Sequence, residues 1–228
     1  TPMEWLQVNY DVIWTGVFAR NVVCVEAGAN GSQNLDEASW GGVFDRNQRD
    51  SGAIMVAAGL SDVLMITGRN KSSLENHFDR AWELEEALQA KGDLNRLARV
   101  RKSNVLADVH YVRQGDPKGL GHAVMCAANH VGNSPFAVLL GDDLIDVRDP
   151  LLSRMIDVQR RTRASVVALM EVPHEQIHLY GCAAVEPTGE DDVVRVTGMV
   201  EKPDPAQAPS NLAVIGRYVL HPRIFDVL

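Results

Sequence analysis

The chain has 228 residues, 46% of them hydrophobic and 23% charged, with 22 basic against 30 acidic residues and a formal charge of -8. That composition supports a sizeable core and excludes fibrous and disordered classes. The longest apolar runs, such as Phe136 to Leu140, fall far short of the ~18 residues that suggest a membrane span, and no stretch gathers Lys or Arg densely enough to neutralise a run of phosphates, so neither membrane nor nucleic acid is an expected partner.

Residues 1–50 form an atypical N-terminal segment. Strand-like fragments such as Asn21 to Val25 sit there among Gly, Asn, Ser and Asp, with no sustained strand or helix period. Val12 to Val25 is fairly apolar, but Arg20 and Asn21 interrupt it, and Glu4 and Asp11 stand where a secretory signal carries positive charge, so no signal peptide is expected. Cys24, Cys126 and Cys182 are odd in number and match no metal-ligand spacing, which predicts reduced thiols and a cytoplasmic location.

From about Ser51 onward, strand-like apolar runs alternate with helical patterns. This predicts an α/β domain over 51–228, with a mostly parallel open sheet, Rossmann-like, and helices on both faces. Val63 to Thr67 reads as a buried strand. Ser72 then opens a helix with a capping box closed by Glu75, continued by Leu74, Phe78, Ala81, Glu85 and Leu88 and ended at Gly92. Val109 to Val112 is the next strand, followed by a glycine-bearing loop and a helix from about His122 to Val131. Phe136 to Leu140 is a third strand, and after Pro150 a helix carrying Leu151, Leu152, Met155, Ile156 and Gln159 leads to a strand over Ser165 to Val172. Arg160 to Arg163, the densest basic run, reads as the solvated face of that helix.

Beyond Val172 the strands shorten, at Gly181 to Val185, Val193 to Val200 and Leu212 to Leu220, which predicts a smaller antiparallel subregion. His174-Glu-Gln-Ile-His178 matches the zinc-protease signature H-E-x-x-H. It sits between Pro173 and Gly181, too short for the long helix such a site uses, and Ala184 stands where a third His ligand would fall, so a short polar turn is expected. The chain begins at Thr1 and stops at Leu228 inside a helical pattern, as a fragment would.

Three polar motifs follow strands, the place where ligands bind in open α/β sheets. In the first, Gln114 closes a strand and Gly119 and Gly121 open a helix. Such glycines let a phosphate or base approach the backbone, although a tight strand-to-helix turn would also account for them. In the second, Leu140-Gly-Asp-Asp143, the Asp142 carboxylate is a ready hard-oxygen ligand for Mg²⁺, or else a helix or turn cap. In the third, Val200-Glu-Lys-Pro203, Glu201 can accept from sugar hydroxyls and Lys202 can hold a phosphate, where a plain surface turn is the alternative.

Taken together, these motifs resemble the bacterial UTP–glucose-1-phosphate uridylyltransferases of the sugar nucleotidyltransferase superfamily, over about Val56 to Leu228. The likeness is carried by Asp62-Val-Leu-Met-Ile-Thr-Gly-Arg-Asn-Lys71, Leu74-Glu-Asn-His-Phe-Asp79, Arg113-Gln-Gly115 with Gly119-Leu-Gly-His-Ala-Val124, Leu140-Gly-Asp-Asp143, Tyr180-Gly181, Gly198-Met-Val-Glu-Lys-Pro203, and Ala208-Pro-Ser-Asn-Leu212 with Gly216-Arg-Tyr218. The resemblance implies that Gln114 and Gly119 recognise the uracil, Asp142 binds Mg²⁺, Gly181 and Glu201 hold the glucose, and Lys202 holds the sugar phosphate. Lys202 and Asp142 would then be the catalytic pair, and UTP, glucose 1-phosphate and UDP-glucose the small-molecule partners. It further implies in-line attack on the α-phosphate of UTP with release of pyrophosphate, which needs positioning and charge neutralisation rather than a protein nucleophile.

The family's opening glycine-rich loop and its Pro-Lys-Glu segment have no match in residues 1–50, where no lysine precedes Lys71, and its C-terminal continuation has none after Leu228. On that ground the 228 residues are expected to bind UDP-glucose weakly, if at all, and to show little or no pyrophosphorylase activity. A non-catalytic relative that only binds nucleotide sugar, or a thymidylyltransferase, remains the alternative, and a homo-oligomer is left open.

Overall fold

The computed structural model describes residues 21–25, 58–68, 80–103, 108–116, 118–140, 145 and 149–228, with backbone alone for 21–25, 99 and 102–103. Eight strands run through these residues: β1 (Asn21–Val25), β2 (Asp62–Thr67), β3 (Asp108–Arg113), β4 (Phe136–Leu140), β5 (Val166–Glu171), β6 (Gly181–Glu190), β7 (Val193–Glu201) and β8 (Leu212–Leu220). They join in one sheet of order β3-β2-β1-β4-β8-β6-β7, with β5 paired to β8 off this path.

The expectation of a mostly parallel sheet requires correction. β1, β2, β3 and β4 are parallel to one another, but β8 is antiparallel to β4, to β5 and to β6, and β6 and β7 form an antiparallel hairpin. The reason lies in the connections. A parallel neighbour needs a long crossover, and the described chain after β5 links its strands by short 3₁₀ turns and a hairpin, which reverse direction. β5 itself runs the same way as β4, as its helical crossover predicts, yet β8 returns and inserts between them.

The texture of each strand reports its place. Asp-Val-Leu-Met-Ile-Thr in β2 is buried from Val63 to Thr67 on both faces, as a strand covered by helices on either side must be, whereas the edge strand β3 alternates in exposure. One face carries Leu64, Ile66 and Val138 against Ala123, Val124, Ala127 and Val131. The other carries Val63, Met65, Ala137 and Leu139 against Leu152, Met155 and Ile156. Five α-helices are described: α1 (Trp82–Ala90), α2 (Leu94–Ser103), α3 (Leu120–Met125), α4 (Ala128–Val131) and α5 (Leu151–Thr162).

Three helix expectations are refined. Residues 69–79, including the capping box at Ser72, lie outside the described residues, and Arg80 and Ala81 are non-helical, so the helix that reaches Gly92 starts at Trp82. Gly92 stands at φ 71°, the left-handed conformation expected after a helix end. The helix foreseen over His122 to Val131 is two short ones, α3 and α4, broken by a turn at Cys126 and Ala127. In α5 the arginines do more than face water: Arg161 binds Glu190 at 2.7 and 2.9 Å, and Arg154 pairs with Asp192, so the helix holds the tip of the β6–β7 hairpin.

His174–Leu179 is a six-residue 3₁₀ turn with Ile177 buried and both histidines exposed. At three residues per turn, positions four apart diverge by about 120° around the axis, whereas in an α-helix they share a face. The H-E-x-x-H spacing therefore does not aim His174 and His178 at one ion.

Candidate active site

The carboxyl ends of β2 and β3 carry the first group. Gln114 follows β3, and its backbone N–H donates to the Thr67 carbonyl at 3.0 Å, extending the parallel pairing by one bond. Its side-chain amide then turns back across the loop. Nε2 donates to the Gly119 carbonyl at 3.0 Å and lies 3.0 Å from His122 Nδ1. Gly119 adopts φ 95° and ψ -179°, a conformation essentially restricted to glycine, immediately before α3. Gln114 and Gly119, which the resemblance pairs at the uracil, are one hydrogen-bonded unit. Nε2 of Gln114 is thereby committed to the loop.

The second group is built by the β6–β7 hairpin. Its register sets Gly181 directly opposite Glu201, about 5 Å away between Cα atoms for such a pair. Lys202 follows at φ 44°, a left-handed conformation uncommon outside glycine, and is held there by a hydrogen bond from its N–H to the Tyr180 carbonyl at 3.0 Å. Glu201 and Lys202 are exposed, while Tyr180 packs on Val172, Ile177, Cys182 and Ala213. A carboxylate, a charged amine and a side-chain-free backbone position therefore meet at one corner. Ser210 Oγ, bonded to the Ala183 carbonyl at 2.6 Å and receiving the Leu212 N–H at 3.0 Å, pins the following loop to the same corner.

Both groups lie toward the same end of the sheet. β8 is antiparallel to β4 with Arg217 opposite Leu139, so its earlier residues continue past the carboxyl end of β4, and there Ala213 pairs with Cys182 of β6. Asp142 lies outside the described residues. It follows the last residue of β4, Leu140, by two positions.

Two residues near this end had no role in the sequence reading. His122 accepts from the Gln114 amide through Nδ1; its place inside Gly-Leu-Gly-His, eight residues from Gln114, is the available signal. Arg217 is 2% exposed in the strand β8, and its Nη1 donates to the carbonyls of Leu140 and Gly216 at 3.0 Å each. A buried guanidinium at the end of β4 places positive charge where the Asp142 loop departs. An arginine in an apolar strand reads from sequence as an outward residue, and only its inclusion in Gly216-Arg-Tyr218 marked it.

Comparison with known proteins bears on these residues. The sequence pattern of the family described as "Nucleotidyl transferase" matches residues 53–228. The UTP–glucose-1-phosphate uridylyltransferase of Bacillus subtilis (strain 168) is 47% identical over 174 residues, covering 76% of this chain and 59% of that protein. The chain therefore spans a little under three fifths of that curated relative. Among solved structures, the UDP-glucose pyrophosphorylase from Acinetobacter baumannii superposes with TM-score 0.78 at 33% identity, covering 90% of this chain and 76% of that one. A UDP-glucose pyrophosphorylase complexed with UDP-glucose superposes with TM-score 0.73 at 35% identity, covering 90% and 78%. With residues 53–228, about three quarters of its length, matched by that pattern, the chain belongs to the nucleotidyl transferase family.

Proposed function

We propose that the protein transfers the uridylyl group of UTP to glucose 1-phosphate, giving UDP-glucose and pyrophosphate. The observation that carries this reading is the corner in which Gly181 faces Glu201 in register and Lys202 follows in a left-handed conformation, on the side of the sheet where Gln114 and Gly119 also lie. Residues 51–228 would form the catalytic domain, completed by β1 from the N-terminal segment. Its working place is the cytoplasm, in keeping with free thiols at Cys126 and Cys182, and no described helix is long and apolar enough to cross a membrane.

In this reading the Gln114 amide and the backbone at Gly119 bind the uracil edge, with His122 and the Gly119 carbonyl fixing the amide's orientation. Gly181 lets the glucose ring lie against the strand, because a side chain there would project from the bound position. Glu201 accepts from sugar hydroxyls and Lys202 neutralises the phosphate of glucose 1-phosphate. A phosphate oxygen of glucose 1-phosphate attacks the α-phosphorus; one P–O bond forms, the bond to the β-phosphate breaks, and pyrophosphate leaves with that electron pair. The protein's contribution is alignment and charge, as in other phosphoryl-type transfers.

Mg²⁺ is the divalent ion we assign to the reaction, with Asp142 as ligand. A carboxylate two residues past a buried strand end suits a hard cation that prefers oxygen donors, and the cation would supply charge neutralisation at the phosphates. The described cluster of Asp62, His110 and His130 does not fit that ion, since two of its three donors are imidazoles.

The test measures pyrophosphate release from UTP with glucose 1-phosphate, and separately the binding of each substrate. Asp142→Asn is expected to remove Mg²⁺-dependent turnover while circular dichroism stays unchanged. Glu201→Ala and Lys202→Ala are expected to weaken glucose 1-phosphate and UDP-glucose by at least about tenfold and to leave UTP affinity as it was. Weaker UTP binding with unchanged sugar binding in those two variants would overturn the assignment. Faster turnover with dTTP than with UTP would make the protein a thymidylyltransferase.

A further inference from the structure

Away from the proposed substrate residues, three titratable side chains meet at the opposite end of the parallel strands. Asp62 opens β2, His110 lies in the edge strand β3 and His130 lies in α4. Their meeting follows from the fold. Leu64 is in register with His110, and Asp62, two residues before Leu64, is on the same face of the sheet. α3 and α4 pack on that face through Val124, Ala127 and Val131, which brings His130 over the start of β2. His130 Nε2 lies 3.0 Å from Asp62 Oδ1, His110 Nε2 lies 3.7 Å from the same oxygen, and the two rings stand 4.9 Å apart between centroids.

We propose that Asp62, His110 and His130 form a binding site for a divalent transition-metal ion of the zinc type, distinct from the Mg²⁺ role assigned to Asp142. One donor atom from each residue lies within 4.8 Å of the others. Two imidazoles and one carboxylate are borderline ligands suited to Zn²⁺ or Co²⁺ and unsuited to Mg²⁺. Around a tetrahedral ion at ~2.0–2.1 Å, donor atoms stand roughly 3.3 Å apart; the separations of 3.0 and 3.7 Å bracket that spacing, and the His110 side chain, 54% exposed, has room to turn and close the third edge. Solvent fills the remaining coordination position.

The position tells what the ion does. Asp62 precedes Thr67 by five residues of strand, so the cluster is ~17 Å from the carboxyl end of β2 and takes no part in transfer chemistry. Instead the ion would add to the backbone pairing of β2 with β3 a tie from both strands to α4, which otherwise meets them here through packing and the His130–Asp62 hydrogen bond. Such an ion binds the folded state and raises its stability by mass action.

The experiment titrates the metal-free 228-residue protein with Zn²⁺ alone by calorimetry and with Co²⁺ by visible absorption, both in millimolar Mg²⁺. One equivalent of Zn²⁺ that Mg²⁺ does not displace is expected, with a rise in Tm and a Co²⁺ spectrum showing nitrogen and oxygen ligands. His110→Ala and Asp62→Asn should each weaken Zn²⁺ by at least about tenfold, the scale on which even a supporting partner of a metal ligand acts. His110 is half-exposed on an edge strand, so its removal leaves the fold intact and keeps the test decisive if Asp62→Asn is unstable. Absence of stoichiometric Zn²⁺ binding, or equal affinity in wild type and His110→Ala, would overturn the proposal. Neither result depends on whether the protein makes UDP-glucose.

Discussion

Gly119 shows how much of the candidate site rests on single backbone conformations. At φ 95° and ψ -179° any side chain is strained, by about 1–3 kcal/mol, and the same residue's carbonyl anchors the Gln114 amide. Gly119→Ala is therefore expected to lower the urea unfolding free energy by about 1–3 kcal/mol and, by shifting the carbonyl that orients Gln114, to weaken UTP more than glucose 1-phosphate. Equal loss for both substrates would place Gly119 in general folding alone. Lys202 is the converse case. At φ 44° it sits where glycine would be easier, and the phosphate-binding role proposed for it would account for a lysine there. Thr67 adds a third: its hydroxyl is buried at the end of β2 with no hydrogen-bond partner among the described residues, a departure from the usual satisfaction of buried polar groups.

Among the elements, α1 and α2 are joined by an ion cluster rather than by a large apolar seam. Glu85 of α1 is buried and receives Arg80 through Nε and Nη2, at 3.1 Å each, and Arg101 of α2 through Nε at 3.0 Å. Hydrogen bonds from Arg80 and then Arg101 hold the Glu85 carboxyl below the usual glutamate range, against an opposing effect of burial. The sign follows directly. A depressed folded pKa contributes stability that is present above the unfolded glutamate value and is lost as pH falls through the folded one. Glu85→Gln should accordingly unfold at lower urea concentration than wild type at neutral pH, and the two midpoints should converge as the solution is acidified through and below the glutamate range. A constant gap across that titration would show that Glu85 acts through packing. The β6–β7 hairpin is held in the same fashion at its tip, where Arg161 keeps the Glu190 carboxyl below its ordinary range.

On the scale of the whole molecule, the sheet depends on a strand contributed from far away in sequence. β1 lies between β2 and β4 and is parallel to both, so residues 21–25 bridge the two halves of the parallel region. A chain that starts at residue 51 would expose unpaired edges on β2 and β4, both buried and apolar, and such edges pair with other chains. Deleting residues 1–50 should abolish the cooperative urea transition and send the protein into aggregates, read by circular dichroism and size-exclusion chromatography. A monomer with a wild-type transition after that deletion would mean that β1 is dispensable.

Much of this protein was written in its local sequence. The unbroken apolar run of β2 marked a strand covered on both faces, and Leu152, Met155, Ile156 and Gln159 at helical spacing marked the buried side of α5, because side-chain period and burial are local consequences of backbone geometry. The strand ends at Gln114 and at Glu201 with Lys202 were legible for the same reason, while the roles proposed for them and for Gly119 and Gly181 came from the resemblance of the motifs. What sequence could not decide was everything that pairs residues distant along the chain. The insertion of β8 between β4 and β5, the inward turn of Arg217 onto the Leu140 carbonyl, and the meeting of Asp62, His110 and His130 depend on strand order and on helix placement across the sheet. Those are settled by long-range burial and backbone pairing, which leave no periodic trace in the residues that take part.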